Sequence, residues 1–215
     1  MIHCIGDSHS AVFSGEEKMQ PEWPNRSNDT TEFFKSYRIG PATAYMLANK
    51  KPIIDNILNN ITINKDDKIM FAFGEVDIRA HVIKQAELQN SLREDVIKEI
   101  IEHYFQVIME YKNKGYNMIV WGPIASWHPY KPYTGGPSFG SCIERNVLTK
   151  FFNETIENLC IKNNIEFVTI FPDMVDQFNM TKPELLDNWE GSHMHLSQNS
   201  MPLILNAFKA KKLIK

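Results

Sequence analysis

The sequence has little of what marks secreted, membrane-spanning or nucleic-acid-binding proteins. It contains three cysteines, at positions 4, 142 and 160, and none stands in a C-x-x-C motif, which favours a reducing compartment. No apolar run approaches the roughly 20 residues that span a bilayer, and no basic segment precedes the first apolar run. The net charge of −3 argues against a nucleic-acid-binding surface, which would need a clustered basic excess. We therefore expect a cytoplasmic protein without membrane or nucleic-acid partners.

The composition is that of an ordinary globular chain. Of its 215 residues, 43% are hydrophobic and 23% are charged, so the chain is long enough to bury a sizeable core. There is no internal repeat, low-complexity tract or linker. We expect one domain over residues 1–215.

Short apolar runs that alternate with amphipathic segments predict an α/β fold. The predicted strands cover residues 2–5, 33–39, 68–73, 117–121 and 166–171. The predicted helices cover residues 42–49, 52–60, 91–114, 143–159 and 203–213, and Thr181-x-x-Glu184 predicts a capping box that opens a further short helix. This alternation predicts one doubly wound domain with a mostly parallel sheet of about five strands and helices on both faces.

Three of the predicted strands end in glycine followed by polar residues, at Gly6, Gly74 and Gly122. Parallel strands bring these ends to one edge of the sheet, where open α/β sheets bind their ligands. Ser8 follows the first strand and is a candidate nucleophile, although Asp7 or Ser8 could also simply cap the next helix. A loop rich in histidines and carboxylates, residues 187–197, precedes the last helix. A serine, a histidine and an acid together predict nucleophilic catalysis.

At these positions the sequence resembles the SGNH (GDSL-type) hydrolases. Gly6-Asp7-Ser8 resembles their first block, Gly40 the oxyanion glycine of the second, Gly74-Glu75-Val76-Asp77 the third, and His195-Leu196-Ser197 the histidine end of the last. The blocks occur in the family's order and span nearly the whole chain. The resemblance implies a flavodoxin-like α/β/α sandwich, with Ser8 as nucleophile and ester hydrolysis or acyl transfer, often on acetylated carbohydrate.

The third block departs from the family pattern, because Val76 stands where the family has an asparagine. Valine cannot donate a hydrogen bond, and the loss of one oxyanion donor can cost about 3 kcal/mol of transition-state stabilisation. Arg79 could replace that donor, and Gly-Glu-x-Asp-x-Arg resembles a variant subgroup of the family. Alternatively, Glu75, Asp77 and Arg79 form a structural ion-pair network at the strand end.

The last block also departs from the pattern, because Ser192 stands three residues before His195, where the family has aspartate. Either His195 is the general base with Asp187 or Glu190 as its acid, or Glu190 and His193 are the working pair. We prefer His195, because Leu196-Ser197 continues the family pattern, and we expect His193 at the rim of the substrate site.

Residues 126–141 are rich in glycine, proline and aromatic side chains, among them Trp127 and His128. Such a loop at the substrate edge suits the stacking of sugar rings, but it could equally cover an edge of the core.

These observations predict a serine esterase or acyltransferase that acts on small acyl groups, with O-acetyl groups on carbohydrate as the expected substrates. Hydrolase and transferase share this site, and the acceptor, water or a sugar hydroxyl, decides between them. One alternative is a catalytically silent glycan-binding module, which Val76 favours. Another is a metal-dependent hydrolase, in which His193 and His195 bind one ion with His9, Asp7 or His128. We expect neither a metal nor a cofactor.

Overall fold

A sheet of five parallel strands with one antiparallel edge strand forms the centre of the computed structural model, which describes residues 1–25, 29–127, 136–187 and 194–215. The strands are β1 (Ile2–Gly6), β2 (Asp29–Thr30), β3 (Phe34–Arg38), β4 (Lys68–Ala72), β5 (Met118–Trp121) and β6 (Glu166–Val168). Their order across the sheet is β2-β3-β1-β4-β5-β6, and β2 pairs antiparallel with β3. The predicted sheet of about five parallel strands is therefore confirmed.

The helices alternate with these strands. They are α1 (Lys51–Asn60), α2 (Glu75–Asp77), α3 (Ile83–Gln89), α4 (Arg93–Asn113), α5 (Cys142–Lys162), α6 (Phe171–Met174) and α7 (Met201–Ala210). A single π-helical segment, Ile78–Val82, joins α2 to α3, and a 3₁₀ helix, Ser8–Ser14, follows β1. Among the helices that the structure describes, none combines the length and apolar character needed to cross a bilayer.

Two apolar layers cover the sheet because successive side chains of a strand point to opposite faces. Ile5 of β1 and Phe71 of β4 pack with α1, α3, α4 and α5 on one face. Cys4 of β1 and Met70 of β4 pack with α6, α7 and the 3₁₀ helix on the other. This arrangement is the predicted α/β/α sandwich, and it explains why the central strands are apolar at nearly every position.

Two of the strand-end glycines are required by the backbone. A Cβ atom on Gly6 would lie 2.8 Å from both the Ala72 carbonyl oxygen and the Ser10 Cβ atom. Gly74 has a φ of +118°, a conformation that side-chain-bearing residues rarely adopt, and it lets the chain turn from β4 directly into α2. The polar residues that follow both strands therefore start close to the sheet edge.

The predicted helix over residues 42–49 is wrong. The chain there forms turns, followed by a 3₁₀ helix at Leu47–Lys50. The buried Asp77 carboxylate accepts hydrogen bonds from the backbone N–H groups of Ala44 (2.7 Å) and Tyr45 (3.1 Å), so a tertiary contact satisfies these donors instead of a helix.

The predicted capping box at 181–184 is also wrong. Thr181 donates its hydroxyl to the Ser126 carbonyl, and the short 3₁₀ helix Pro183–Leu185 has Lys182 at its N-cap without a side-chain hydrogen bond. A capping box does form elsewhere, between Ser141 and Glu144 at the start of α5.

Candidate functional site

Ser8 lies where β1 ends, as the sequence predicts. It begins the 3₁₀ helix and is partly exposed, whereas its neighbours on both sides are buried. Asp7 caps this helix, because its Oδ1 atom accepts a hydrogen bond of 2.8 Å from the His9 N–H group. The capping role that the sequence allowed therefore belongs to Asp7, and the Ser8 hydroxyl is not needed for it.

The structure brings His195 and Asp187 together. His195 Nδ1 lies 3.3 Å from Asp187 Oδ2, and the backbone N–H groups of Met194 and His195 donate to Oδ1 of the same carboxylate at 3.0 and 3.3 Å. A backbone bridge between Leu186 and Leu196 sets this register. Glu190 and His193, the alternative acid and base, lie outside the described residues.

His195 contacts the residue that follows Ser8. The rings of His9 and His195 have centroids 4.7 Å apart and planes inclined by 47°. Ser8 is the residue before His9, and consecutive Cα atoms are about 3.8 Å apart. The His195 Nε2 atom is buried and has no hydrogen-bond partner among the described residues, which include Ser8. Transfer of the Ser8 proton to this nitrogen therefore stays a prediction.

Glu75, which belongs to the third block, lies against His9. A Glu75 oxygen, Oε2, lies 2.7 Å from His9 Nε2, a short contact that is bent away from the ring N–H direction. The Arg79 Nε atom donates to both Glu75 oxygens at 2.9 and 3.1 Å, and its Nη1 atom donates to the Pro137 carbonyl at 2.9 Å. All three side chains are almost fully buried. Arg79, Glu75 and His9 thus form a chain of charges that ends beside His195.

Burial and neighbouring charges separate the pKa values of the two histidines. Burial lowers the pKa of His195, and the His9 charge lowers it further, despite the hydrogen bond to Asp187. Burial alone would also lower the pKa of His9, but the Glu75 and Asp7 carboxylates together outweigh burial and raise it. Burial opposes ionisation of Glu75, yet the charges of His9 and Arg79 bring its pKa down to about 2. These opposite shifts favour the neutral form of His195 and the cationic form of His9.

Gly40 and Asp77, two further predicted site residues, lie at the same end of the sheet. Gly40 follows β3, whose neighbour is β1, and the N–H group of Ile39 donates to the Gly6 carbonyl at 2.9 Å. Asp77 is buried and supports the segment after Gly40 through its bonds to Ala44 and Tyr45. Burial raises its pKa to about 7. In the structure Asp77 accepts hydrogen bonds from the backbone of Ala44 and Tyr45. Its role in substrate binding stays a prediction.

Trp127 follows the end of β5 and is half-buried. The guanidinium carbon of Arg145 lies 3.6 Å from the centre of the Trp127 ring, a cation–π contact, and Arg145 Nε donates to the Ser126 hydroxyl at 2.6 Å. The role of Trp127 in sugar stacking stays a prediction. His128 and most of the aromatic loop lie outside the described residues.

His9 is the residue that reasoning from the sequence missed, since it was considered only as a possible metal ligand. The signal was present, because His9 adjoins Ser8 and Glu75 stands four residues before Arg79, a spacing that predicts a helical ion pair. In the described part of the chain, no group of three or more His, Cys, Asp or Glu side chains is arranged to hold a metal ion.

The buried Arg79–Glu75 pair leads to a stability prediction. Arg79→Ala would leave a buried carboxylate with only His9 to balance it, so we expect the free energy of unfolding in urea to fall by about 3–5 kcal/mol. Arg93→Ala is the matched control, because Arg93 pairs with Glu144 on the surface and should cost at most about 1 kcal/mol. Equal losses in the two variants would contradict the prediction. If the folded Arg79→Ala protein also loses about 10²-fold in kcat/KM, the Arg79–Glu75 pair also supports activity.

Comparison with known proteins finds likeness in structure only. No family model and no curated protein matches the chain. A Streptococcus pneumoniae protein provisionally described as a platelet activating factor matches with a TM-score of 0.63 at 17% identity, over 99% of this chain and 83% of that one. Axe2, an acetylxylan esterase from Geobacillus stearothermophilus, matches with a TM-score of 0.55 at 14% identity, over 100% and 94%.

A third similar structure is that of the psychrotrophic esterase EstA from Pseudoalteromonas sp., inhibited by monoethylphosphonate. Its TM-score is 0.54 at 15% identity, and the match covers 98% of this chain and 97% of that one. The likeness therefore runs over the whole of both proteins. It shows that this chain has the α/β sandwich fold of these esterases.

Proposed function

We propose that the protein is a serine esterase or acyltransferase that acts on small acyl groups, with O-acetyl groups on carbohydrate as the expected substrates. One observation carries the proposal. An Asp187–His195 pair lies against the residue that follows Ser8, at the carboxyl ends of the parallel strands. This placement supports a site at the edge where such sheets bind ligands, with Ser8 as the proposed nucleophile, His195 as the proposed base and Asp187 as the proposed orienting acid.

In the proposed mechanism, the Ser8 hydroxyl oxygen attacks the ester carbonyl carbon while His195 Nε2 takes the hydroxyl proton. The carbonyl π electrons move to oxygen and give a tetrahedral oxyanion. When the oxyanion collapses, the bond to the leaving alkoxide breaks and His195 returns the proton to it. Water, or a sugar hydroxyl in a transferase, then attacks the acyl-Ser8 ester with His195 as base again.

Asp187 supports this cycle from the far side of the imidazole. Its contact with Nδ1 favours the tautomer in which Nδ1 carries the proton and Nε2 is free to accept one. It also stabilises the imidazolium that forms when His195 takes the Ser8 proton. The backbone N–H groups of Ser8 and Gly40 are the proposed oxyanion donors.

The carbohydrate part of the proposal rests on three observations. The resemblance in the sequence blocks points to a family that often acts on acetylated carbohydrate, and one protein of the same fold is described as an acetylxylan esterase. The half-buried Trp127 ring, near the end of β5, belongs to a loop rich in aromatic residues, which suits sugar rings.

The deciding test is labelling by a fluorophosphonate probe, followed by identification of the modified residue. We expect labelling of Ser8 and its loss in Ser8→Ala. The substrate class follows from turnover of acetylated xylo-oligosaccharides beside nitrophenyl esters of increasing chain length, with and without a sugar acceptor. If the wild type is not labelled but binds acetylated sugar, the protein is instead a glycan-binding module, the function that Val76 favours.

The lowered pKa of His195 leads to a pH prediction. A general base must be neutral, so activity is lost as the pH falls through its pKa. Because burial lowers that pKa, we expect the acid limb of the kcat/KM profile to have its midpoint below the ordinary histidine value of 6.5. Steady-state kinetics over a pH range that the protein survives will check this. An acid limb centred above 6.5 would contradict the assignment of the buried His195 as base.

A further inference from the structure

One ring nitrogen of His9 is buried without a hydrogen-bond partner among the described residues. Its side chain is 5% exposed, and its Nε2 atom faces the Glu75 carboxylate at 2.7 Å. The other ring nitrogen, Nδ1, is buried and has no hydrogen-bond partner among the described residues. Buried polar atoms nearly always have partners, so an exception beside a candidate nucleophile needs an explanation.

The charges that face His9 come from each element packed against it. Glu75 and Asp7 are acidic and favour the imidazolium form, whereas Arg79 disfavours it. His195 lies against the ring and is itself held by Asp187. Burial raises the pKa of Asp7 to about 6. Above that pH the Asp7 carboxylate is ionised and helps to stabilise the His9 imidazolium. With the ion contact to Glu75 the balance favours the cation, and an imidazolium carries a donor N–H on both ring nitrogens.

A buried cationic donor without a partner is costly, because it forfeits its hydration and gains no hydrogen bond. Such a donor can serve catalysis if its hydrogen-bond acceptor is an oxygen that becomes negatively charged only during the reaction. A donor that is fixed in place before the negative charge develops is what stabilises an oxyanion. The chain has no side-chain donor at Val76, and the observed contacts of the Arg79 guanidinium are with Glu75 and the Pro137 carbonyl.

We infer that His9, as an imidazolium, donates its Nδ1–H to the oxyanion that forms when Ser8 attacks the substrate carbonyl. The inference rests on the proposed function and adds a catalytic residue to it. No proton leaves His9 in this step, since the Ser8 proton passes to His195 and the oxyanion only accepts a hydrogen bond. Glu75 and Arg79 are then positioning residues, which keep His9 charged and oriented.

This assignment gives the two adjacent histidines distinct chemical roles. His195 works as a base because it is neutral, and His9 works as a donor because it is charged. The His9 cation is one of the causes of the lowered His195 pKa and so helps to keep His195 neutral before the reaction. When His195 takes the Ser8 proton, the Asp187 carboxylate offsets the repulsion between the two imidazolium rings. Enzyme sites often hold two titratable groups whose pKa values are shifted in opposite directions, so that at one pH one group is protonated and the other is not.

The experiment compares the kinetics of His9→Leu and His9→Gln with the wild type. In His9→Leu we expect kcat to fall by about 10²–10³-fold with KM changed only a few-fold, because the lost contact exists only in the transition state. His9→Gln keeps an uncharged donor and should retain part of the activity. His3→Gln is the matched control, a buried histidine of β1 that faces Tyr37 and Asp67, and its kcat should stay near the wild-type value.

The pH profile separates a donor from a merely structural residue. In the wild type, kcat/KM should fall on the alkaline side as His9 loses its proton, with a midpoint above 6.5, the direction in which Glu75 moves its pKa. That alkaline limb should vanish in His9→Gln. An alkaline limb that persists in His9→Gln, or a wild-type kcat in His9→Leu, would overturn the inference. If only the acid limb moves and the plateau is unchanged, His9 tunes His195 and is not a donor.

Fluorophosphonate labelling distinguishes failure of this inference from failure of the proposed function. If wild-type Ser8 is not labelled, the serine mechanism itself is wrong. If wild-type Ser8 is labelled and His9→Leu is labelled at the same rate, only the role of His9 is wrong. Thermal melting checks that each variant is folded. Should His9→Leu not fold, the alkaline limb of the His9→Gln profile decides the question.

Discussion

Ser8→Ala is expected to lower kcat by about 10⁴-fold or more while the fold and the affinity for substrate stay nearly unchanged. The variant removes the oxygen that would attack the ester and leaves the rest of the site in place. Ser8 is partly exposed at the end of β1, and Asp7, not Ser8, caps the helix that follows. The loss of its hydroxyl should therefore cost little stability.

Ser10→Ala is the matched control for this variant. Ser10 lies in the same 3₁₀ helix and is buried, and its hydroxyl donates to the Asp7 carbonyl at 2.8 Å. Its loss should lower the free energy of unfolding by about 1 kcal/mol and change kcat only a few-fold. Turnover and urea unfolding measured on both variants separate chemistry from stability. A Ser8→Ala protein that keeps most of the wild-type kcat would rule out Ser8 as the nucleophile.

His195→Ala is expected to match Ser8→Ala in its loss of kcat, and the double variant should lose little more. A nucleophile and its base act as one unit, so the second substitution removes an interaction that the first has already broken. The prediction depends on His195 being the base, as its contacts with Asp187 and with the ring of His9 support. The measurement is kcat for both single variants and for the double variant.

His103→Ala is the control for this series, because His103 is exposed on α4, where its ring lies against Tyr45. It should leave kcat near the wild-type value. His193→Ala provides the comparison within the loop, and we expect a milder loss that is partly in KM, as suits a residue at the rim of the site. The reverse ranking of His193 and His195 would move the base to His193 and make Glu190 its partner.

Much of the fold could be predicted because strand and helix signals are local. The apolar runs before Gly6, Gly74 and Gly122 correspond to β1, β4 and β5, since a short buried strand between turn residues needs little outside information. Residues 42–49 show where local reasoning failed. Their helical pattern was overridden by two hydrogen bonds to Asp77, a residue more than 30 positions away.

The capping-box error at 181–184 has the same physical origin. A threonine followed three residues later by glutamate permits a capping box, but a side-chain hydroxyl can bond to any acceptor in reach. In the folded chain that acceptor is the Ser126 carbonyl, which only the tertiary structure brings near Thr181. The Ser141–Glu144 box formed because no competing tertiary partner takes the Ser141 hydroxyl among the contacts described.

The sequence by itself determined the central strands, the long helices and the polar residues that follow the strand ends, because hydrophobic periodicity and glycine positions are properties of short segments. Only the tertiary structure decided which side chains meet. It paired His195 with Asp187, and it joined Glu75 to His9 across 66 positions of the chain. Such contacts depend on side-chain direction and on distances of a few tenths of an ångström, which the packing of the whole sheet and its helices sets.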